Sequence, residues 1–211
     1  MEEKIVVKAG KKVIDYFPAD TRYRYSQFLN GLIVFRDDTR MKVRLNYNIL
    51  YGEIQYIDKK DTLFIGNPKT IYLIKILEDT FYFDKNYLRL VTGRDPVQML
   101  VNDKITLLDA EKNGAYGTSS ATSAINSVNT LYDNNSNRYF NLVTAEDLVL
   151  LRKKEYFIGN VFQGFYLYRK NSLHKLFPKQ AIQIDSYIKM NNVDFKNEDD
   201  LKKLTQYIQG L

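Results

Sequence analysis

Between Gly31 and Val91 the chain alternates apolar and polar positions in short runs, each closed by turn residues. The run Arg40-Met41-Lys42-Val43-Arg44-Leu45-Asn46-Tyr47 is the clearest. A period of two places Met41, Val43, Leu45 and Tyr47 on one face, and Arg40, Lys42, Arg44 and Asn46 on the other. That pattern predicts a half-buried strand. Similar runs cover Leu32 to Phe35, Glu53 to Ile57, Thr62 to Ile65, Phe81 to Phe83 and Tyr87 to Val91. Ile71 to Leu77 is apolar on both faces except at Lys75, the pattern of a central strand. Turn signals recur about every 8–12 residues, and the crossover helices that parallel strands need are absent from the pattern. An antiparallel meander follows, forming a sandwich or open barrel.

Upstream, Lys4 to Lys8 and Val13 to Phe17 read as strands, and Arg22-Tyr23-Arg24-Tyr25 alternates between a core face and a wet face. Downstream, Val97 to Val101 and Ile105 to Leu108 read as two strands joined by a turn at Asn102-Asp103-Lys104. From Asn113 to Asn137 small polar residues dominate, too few anchors to offset the entropy of ordering, and a long flexible loop is expected. Strand-like runs resume at Tyr139 to Val143, Leu148 to Leu151, Tyr156 to Ile158 and Phe165 to Tyr168. The segment 171–211 is helical: a turn bearing Leu173 and Leu176, then a helix with Ala181, Ile184 and Ile188 on one face. Asn197 caps the last helix, acidic residues fill its first turn, and Leu201, Leu204, Ile208 and Leu211 form its stripe. The expected fold is mainly β, about ten antiparallel strands and two short C-terminal α-helices in one domain spanning 1–211.

Composition supports this reading. Seventeen Tyr and twelve Phe favour pleated, half-buried surfaces. The net charge of +6 and pI near 9.2 would suit anionic partners. The basic residues are scattered, however, and Lys, Asn, Ile and Tyr share A/T-rich codons, which would raise all four without selection for a basic surface. The absence of cysteine excludes disulfides, thiolate chemistry and Cys-based zinc sites. No stretch approaches the ~18 apolar residues of a membrane-spanning helix, and Met1 to Lys4 lacks the apolar region of a leader.

The chain carries no catalytic signature, and no cofactor is implied. His174 is the only histidine and sits in an apolar-periodic turn, without the G-x-S-x-G elbow of a nucleophilic serine. The acid pairs Asp37/Asp38, Glu146/Asp147 and Asp199/Asp200 are explained by turns and a helix start, without invoking metal. Two groups remain as candidate binding residues. Arg40, Lys42 and Arg44 would stand in a row at roughly 6.6–6.8 Å intervals, although Glu53 and Gln55 on the next strand could equally pair with them. Tyr116, Ser119 and Ser120 lie in the long loop, whose glycines and hydroxyls could present donors to an anion. No Lys-Ser/Thr follows a glycine run there, as a phosphate-binding loop would require.

The stretch from Phe28 through Gly31 and Phe35 to Asp38, running into Leu45-Asn46-Tyr47-Asn48-Ile49-Leu50-Tyr51-Gly52-Glu53, resembles a recurring F-x-x-G-x-V-x-F-x-D-G … L-N-Y-N-x-L-x-G-E pattern. That pattern belongs to exported β-rich proteins of Gram-negative bacteria with no assigned chemistry. Gly114 to Ser120 and the Asp199-Asp200-Leu201 helix are similar too. Thr39 stands where a turn glycine is expected after Asp38, and Tyr56 replaces a Phe. The resemblance implies a periplasmic or envelope protein whose leader is absent from this chain. The expected function is therefore a non-enzymatic exported binding or envelope-structural protein, with an envelope protein, glycan or lipid as partner. A basic cytoplasmic nucleic-acid-binding domain is the alternative, and a hydrolase with a lid at 113–137 the third reading.

Overall fold

A computed structural model of the chain describes residues 3–111 and 147–211. Strands β1 (Glu3–Val7), β2 (Leu29–Phe35), β3 (Arg40–Asn48), β4 (Glu53–Asp58), β5 (Asp61–Phe64), β6 (Ile71–Ile76), β7 (Asp79–Asp84) and β8 (Asn86–Arg94) lead to two long ones, β9 (Val97–Glu111) and β10 (Asp147–Asn160). A short β11 (Gly164–Leu167) follows, then helices α2 (Lys170–Leu176), α3 (Ala181–Met190) and α4 (Glu198–Gln209). A single-turn helix, α1 (Ala19–Arg22), lies near the start. The strands form one antiparallel sheet in the order β1-β10-β9-β8-β7-β6-β2-β3-β4-β5, with β11 paired to β10. The fold is mainly β, as alternation and turn spacing predict. Among the described residues, no helix is long and apolar enough to cross a membrane.

Several expected elements differ. Val13–Tyr16 is a 3-10 turn, not a strand, and Arg22 closes α1, leaving Tyr23 a single bridge to Asn48. Asn102-Asp103-Lys104 is no turn but lies inside β9, a strand of 15 residues. The runs around Leu148 and Tyr156 are likewise one strand. The wet face of β3 does not continue to Asn46, which is buried, and Met41, expected in the core, is 36% exposed. In the turn between β2 and β3 the left-handed position is Asp38 itself, at φ 63°, so Thr39 needs no glycine-like freedom. The Asp37 carboxylate accepts from both the N–H and the hydroxyl of Thr39, which holds its pKa below the usual range.

The chain divides into two compact units. The first comprises 1–27, 47–53 and 103–153. It is knitted by β1 against β10, from Glu3↔Arg152 to Val7↔Leu148, and packs Val7, Val13, Phe17, Leu50 and Leu150. The turn from β3 to β4 folds inward here. The Ile49 N–H donates to Arg22 O, Ile105 N–H donates to Ile49 O, and Asn48 Oδ1 accepts from the Tyr51 N–H.

The second unit comprises 28–46, 54–102 and 154–211. On one sheet face, Ile33, Leu45, Ile74, Ile76 and Phe81 are fully buried. Further along the sheet, α2, α3 and α4 bury Leu173, Ile184, Leu201, Leu204 and Ile208 with Val97, Met99 and Ile158. On the opposite face the β10–β11 hairpin lays Phe157, Val161 and Phe165 over Tyr82, Leu88 and Leu100, and this apolar cover reaches Leu73.

Candidate functional site

Strand register in the second unit decides which side chains share the uncovered part of that opposite face. Directly opposed residues of an antiparallel pair point to the same side. Arg40, Lys42 and Arg44 of β3 oppose Val34, Leu32 and Asn30 of β2. On the far side of β2, Leu32 opposes Lys75 and Val34 opposes Leu73 of β6. The three β3 cations and Lys75 therefore belong to one face, and all four are exposed. Lys42 and Lys75 flank Leu32 at two strand spacings, roughly 9.5 Å apart. Among the described residues, none of these four enters an ion pair. Arg44 is partly spent locally, its Nε donating to Phe28 O at 3.3 Å. Arg40, Lys42 and Lys75 keep their charge for whatever approaches.

Alternation alone finds Arg40, Lys42 and Arg44. Lys75 joins them only through register, and the single break in an otherwise apolar strand was its one sequence signal. Tyr116, Ser119 and Ser120, with the expected loop 113–137 and the run Tyr139 to Val143, lie outside the described residues.

The stretch from Leu45 to Glu53 is occupied with packing. Leu45, Asn46, Tyr47, Asn48 and Leu50 are all buried. A Cβ on Gly31 would come within 2.6 Å of both Leu45 Cδ1 and Lys75 O, so the strand needs glycine there. Gly52 makes the inward turn at φ 66°. In the first unit the Tyr47 hydroxyl donates to Asp103 O at 2.8 Å, and burial pushes its pKa far up. Glu53, at the end of the stretch, is lifted by burial to a pKa of about 7.

His174, Asp147 and Asp200 each have partners within the fold. His174 Nε2 meets Asp185 Oδ1 at 2.8 Å, and Lys170 Nζ meets Asp185 Oδ2 at 3.0 Å. The hydrogen bond from His174, then that from Lys170, holds the Asp185 pKa low. Asp147 accepts from Lys8 Nζ and the Ala9 N–H. Asp200 accepts from the Asp194 N–H. Among the described residues, no group of three His, Cys, Asp or Glu side chains could hold a metal ion.

No protein-family model matches the chain, and no solved structure does. A stretch of 91 residues is 31% identical to the mRNA-decapping protein g5R of African swine fever virus (isolate Pig/Kenya/KEN-50/1950). It covers 42% of this chain, and the chain spans only 37% of that relative's length.

Proposed function

We propose that this chain is a non-enzymatic, exported binding protein of the cell envelope, and that it meets its partner through the cationic face of β2, β3 and β6. The observation that carries the binding role is the exposure of Arg40, Lys42 and Lys75 on one face without an ion pair. Surface cations in most proteins are interspersed with carboxylates, and the residues that β2 and β6 bring beside these positions include none. The export half of the reading rests on the resemblance of Phe28–Glu53 to exported proteins. Fractionation of the native protein, with mass spectrometry of its mature N-terminus, tests that half. A processed N-terminus in the envelope supports it, and an unprocessed cytoplasmic protein defeats it.

A second reading is contact with RNA. The partial likeness to a viral protein named for mRNA decapping favours it, and a cationic face would serve it. Steep weakening of oligonucleotide binding with added salt, lost when Lys42 and Lys75 are replaced by Gln, is its expected signature.

A further inference from the structure

We propose that the face carrying Arg40, Lys42 and Lys75 docks on an anionic lipid surface. This rests on the reading of that face as the contact surface, and it names the partner. The cations stand on one face of the sheet. Rows on β3 and β6 are separated by β2, whose Leu32 and Val34 are half-buried aliphatics.

The residues between the cations distinguish the possible partners. Single-stranded nucleic acid is held by cations working with aromatic platforms on which bases stack. On the side of β2 and β6 the register places Asn30, Leu32, Val34 and Leu73 beside the cations, none of them aromatic. The aromatic Tyr82, further along the same face, is packed under Phe157 and Phe165 of the β10–β11 hairpin. A lipid surface asks for something different: several cations reaching one plane of phosphates, with apolar groups between them tolerated or welcome. Basic residues near an anionic membrane act additively and through charge alone. Spread cations with half-exposed aliphatic side chains between them match that demand.

The test is co-sedimentation of the full chain with vesicles of phosphatidylcholine containing phosphatidylglycerol, against phosphatidylcholine alone. Binding is expected only with the anionic lipid, and is expected to weaken as salt rises. Lys42→Gln or Lys75→Gln should each lower the partition coefficient about fivefold, and the triple variant with Arg40→Gln about a hundredfold. All three side chains are exposed, and circular dichroism should show the fold unchanged. Lys179→Gln and Lys203→Gln, on exposed positions of the helical region, should bind as the parent does. Equal binding to neutral vesicles, or equal losses from the Lys179 and Lys203 variants, would overturn the proposal. So would tight RNA binding by a chain that ignores anionic vesicles. Lipid binding by a protein found unprocessed in the cytoplasm would defeat the export reading alone, and an envelope protein that binds no anionic vesicle would defeat only the lipid.

Discussion

Arg152 grips the carboxylate of Asp103 with two parallel hydrogen bonds, Nε to Oδ1 at 3.1 Å and Nη2 to Oδ2 at 3.0 Å. The Asp103 side chain is largely shielded while Arg152 stays a third exposed, so the pair is neither a free surface contact nor a buried one. The backbone carbonyl of Asp103 is engaged as well, by the Tyr47 hydroxyl. Paired forks of this kind are stronger than single-point contacts. Asp103→Ala should lower the unfolding free energy by about 1–3 kcal/mol, read from the urea midpoint at constant slope. Asp103→Asn should fall between the two. An Ala variant as stable as the parent would show that Arg152 re-solvates without loss.

Glu53 gives the first unit a pH dependence of unusual sign. Its folded pKa is about 7, against an ordinary 4.5. At pH below 4.5 both folded and unfolded chains hold the proton, and the acid form is accommodated at no cost. Between 4.5 and 7 the unfolded chain ionises first and binds fewer protons, so stability falls as pH rises. Above 7 both are ionised and the loss is complete. Asp147 and Asp185, whose pKa values are lowered, act oppositely and at lower pH, so the comparison is best made by difference. Glu53→Gln should match the parent near pH 4.5 and exceed it in stability at pH 8. A difference independent of pH would mean that Glu53 is solvated when folded.

The same residues show why part of the fold was legible and part was not. Two-residue turns such as Lys59-Lys60, between Asp58 and Asp61, are local events, and local chemistry announces them. Asn102-Asp103-Lys104 is as polar and lies in mid-strand. Its polarity is answered at long range, with Asn102 Nδ2 donating to Tyr87 O at 3.0 Å and Asp103 held by Arg152. Asn46 misled in the same way, polar in sequence yet buried in structure. The candidate site divides along the same line. Alternation within β3 exposes its own cations, whereas placing Lys75 beside them takes the pairing of β2 with both β3 and β6.

Helix α4 was legible at its start and along its stripe except at Leu211, which lies beyond the last turn and is 47% exposed, and its two anchors separate cleanly. Asn197 Oδ1 accepts from the Asp199 N–H at 2.9 Å and the Asp200 N–H at 3.3 Å. Asn197→Ala should cost about 1 kcal/mol. Leu204 is fully buried among Leu201, Ile208 and the core strands, and Leu204→Ala should cost about 2–5 kcal/mol. Urea unfolding of both variants checks the order. A cap loss equal to the cavity loss would mean that α4 is held at its start rather than along its stripe.

At the tip of the β10–β11 hairpin, bracing and display fall to neighbouring residues. Asn160 Oδ1 accepts from the N–H groups of Phe162 and Gln163, both at 2.9 Å. Its Nδ2 donates to Pro96 O at 2.9 Å and to Gln163 Oε1 at 3.2 Å. The buried amide thus fixes the turn from within, while Phe162 is left 82% exposed. Removing Asn160 leaves several backbone groups to find water or stay unpaired, and Asn160→Ala should cost about 1–3 kcal/mol. Phe162→Ala removes almost no burial and should stay within about 0.5 kcal/mol of the parent. Thermal or urea unfolding of the two variants decides it. If Phe162→Ala proves as damaging as Asn160→Ala, the ring is packed in solution and the tip is part of the core rather than a displayed aromatic.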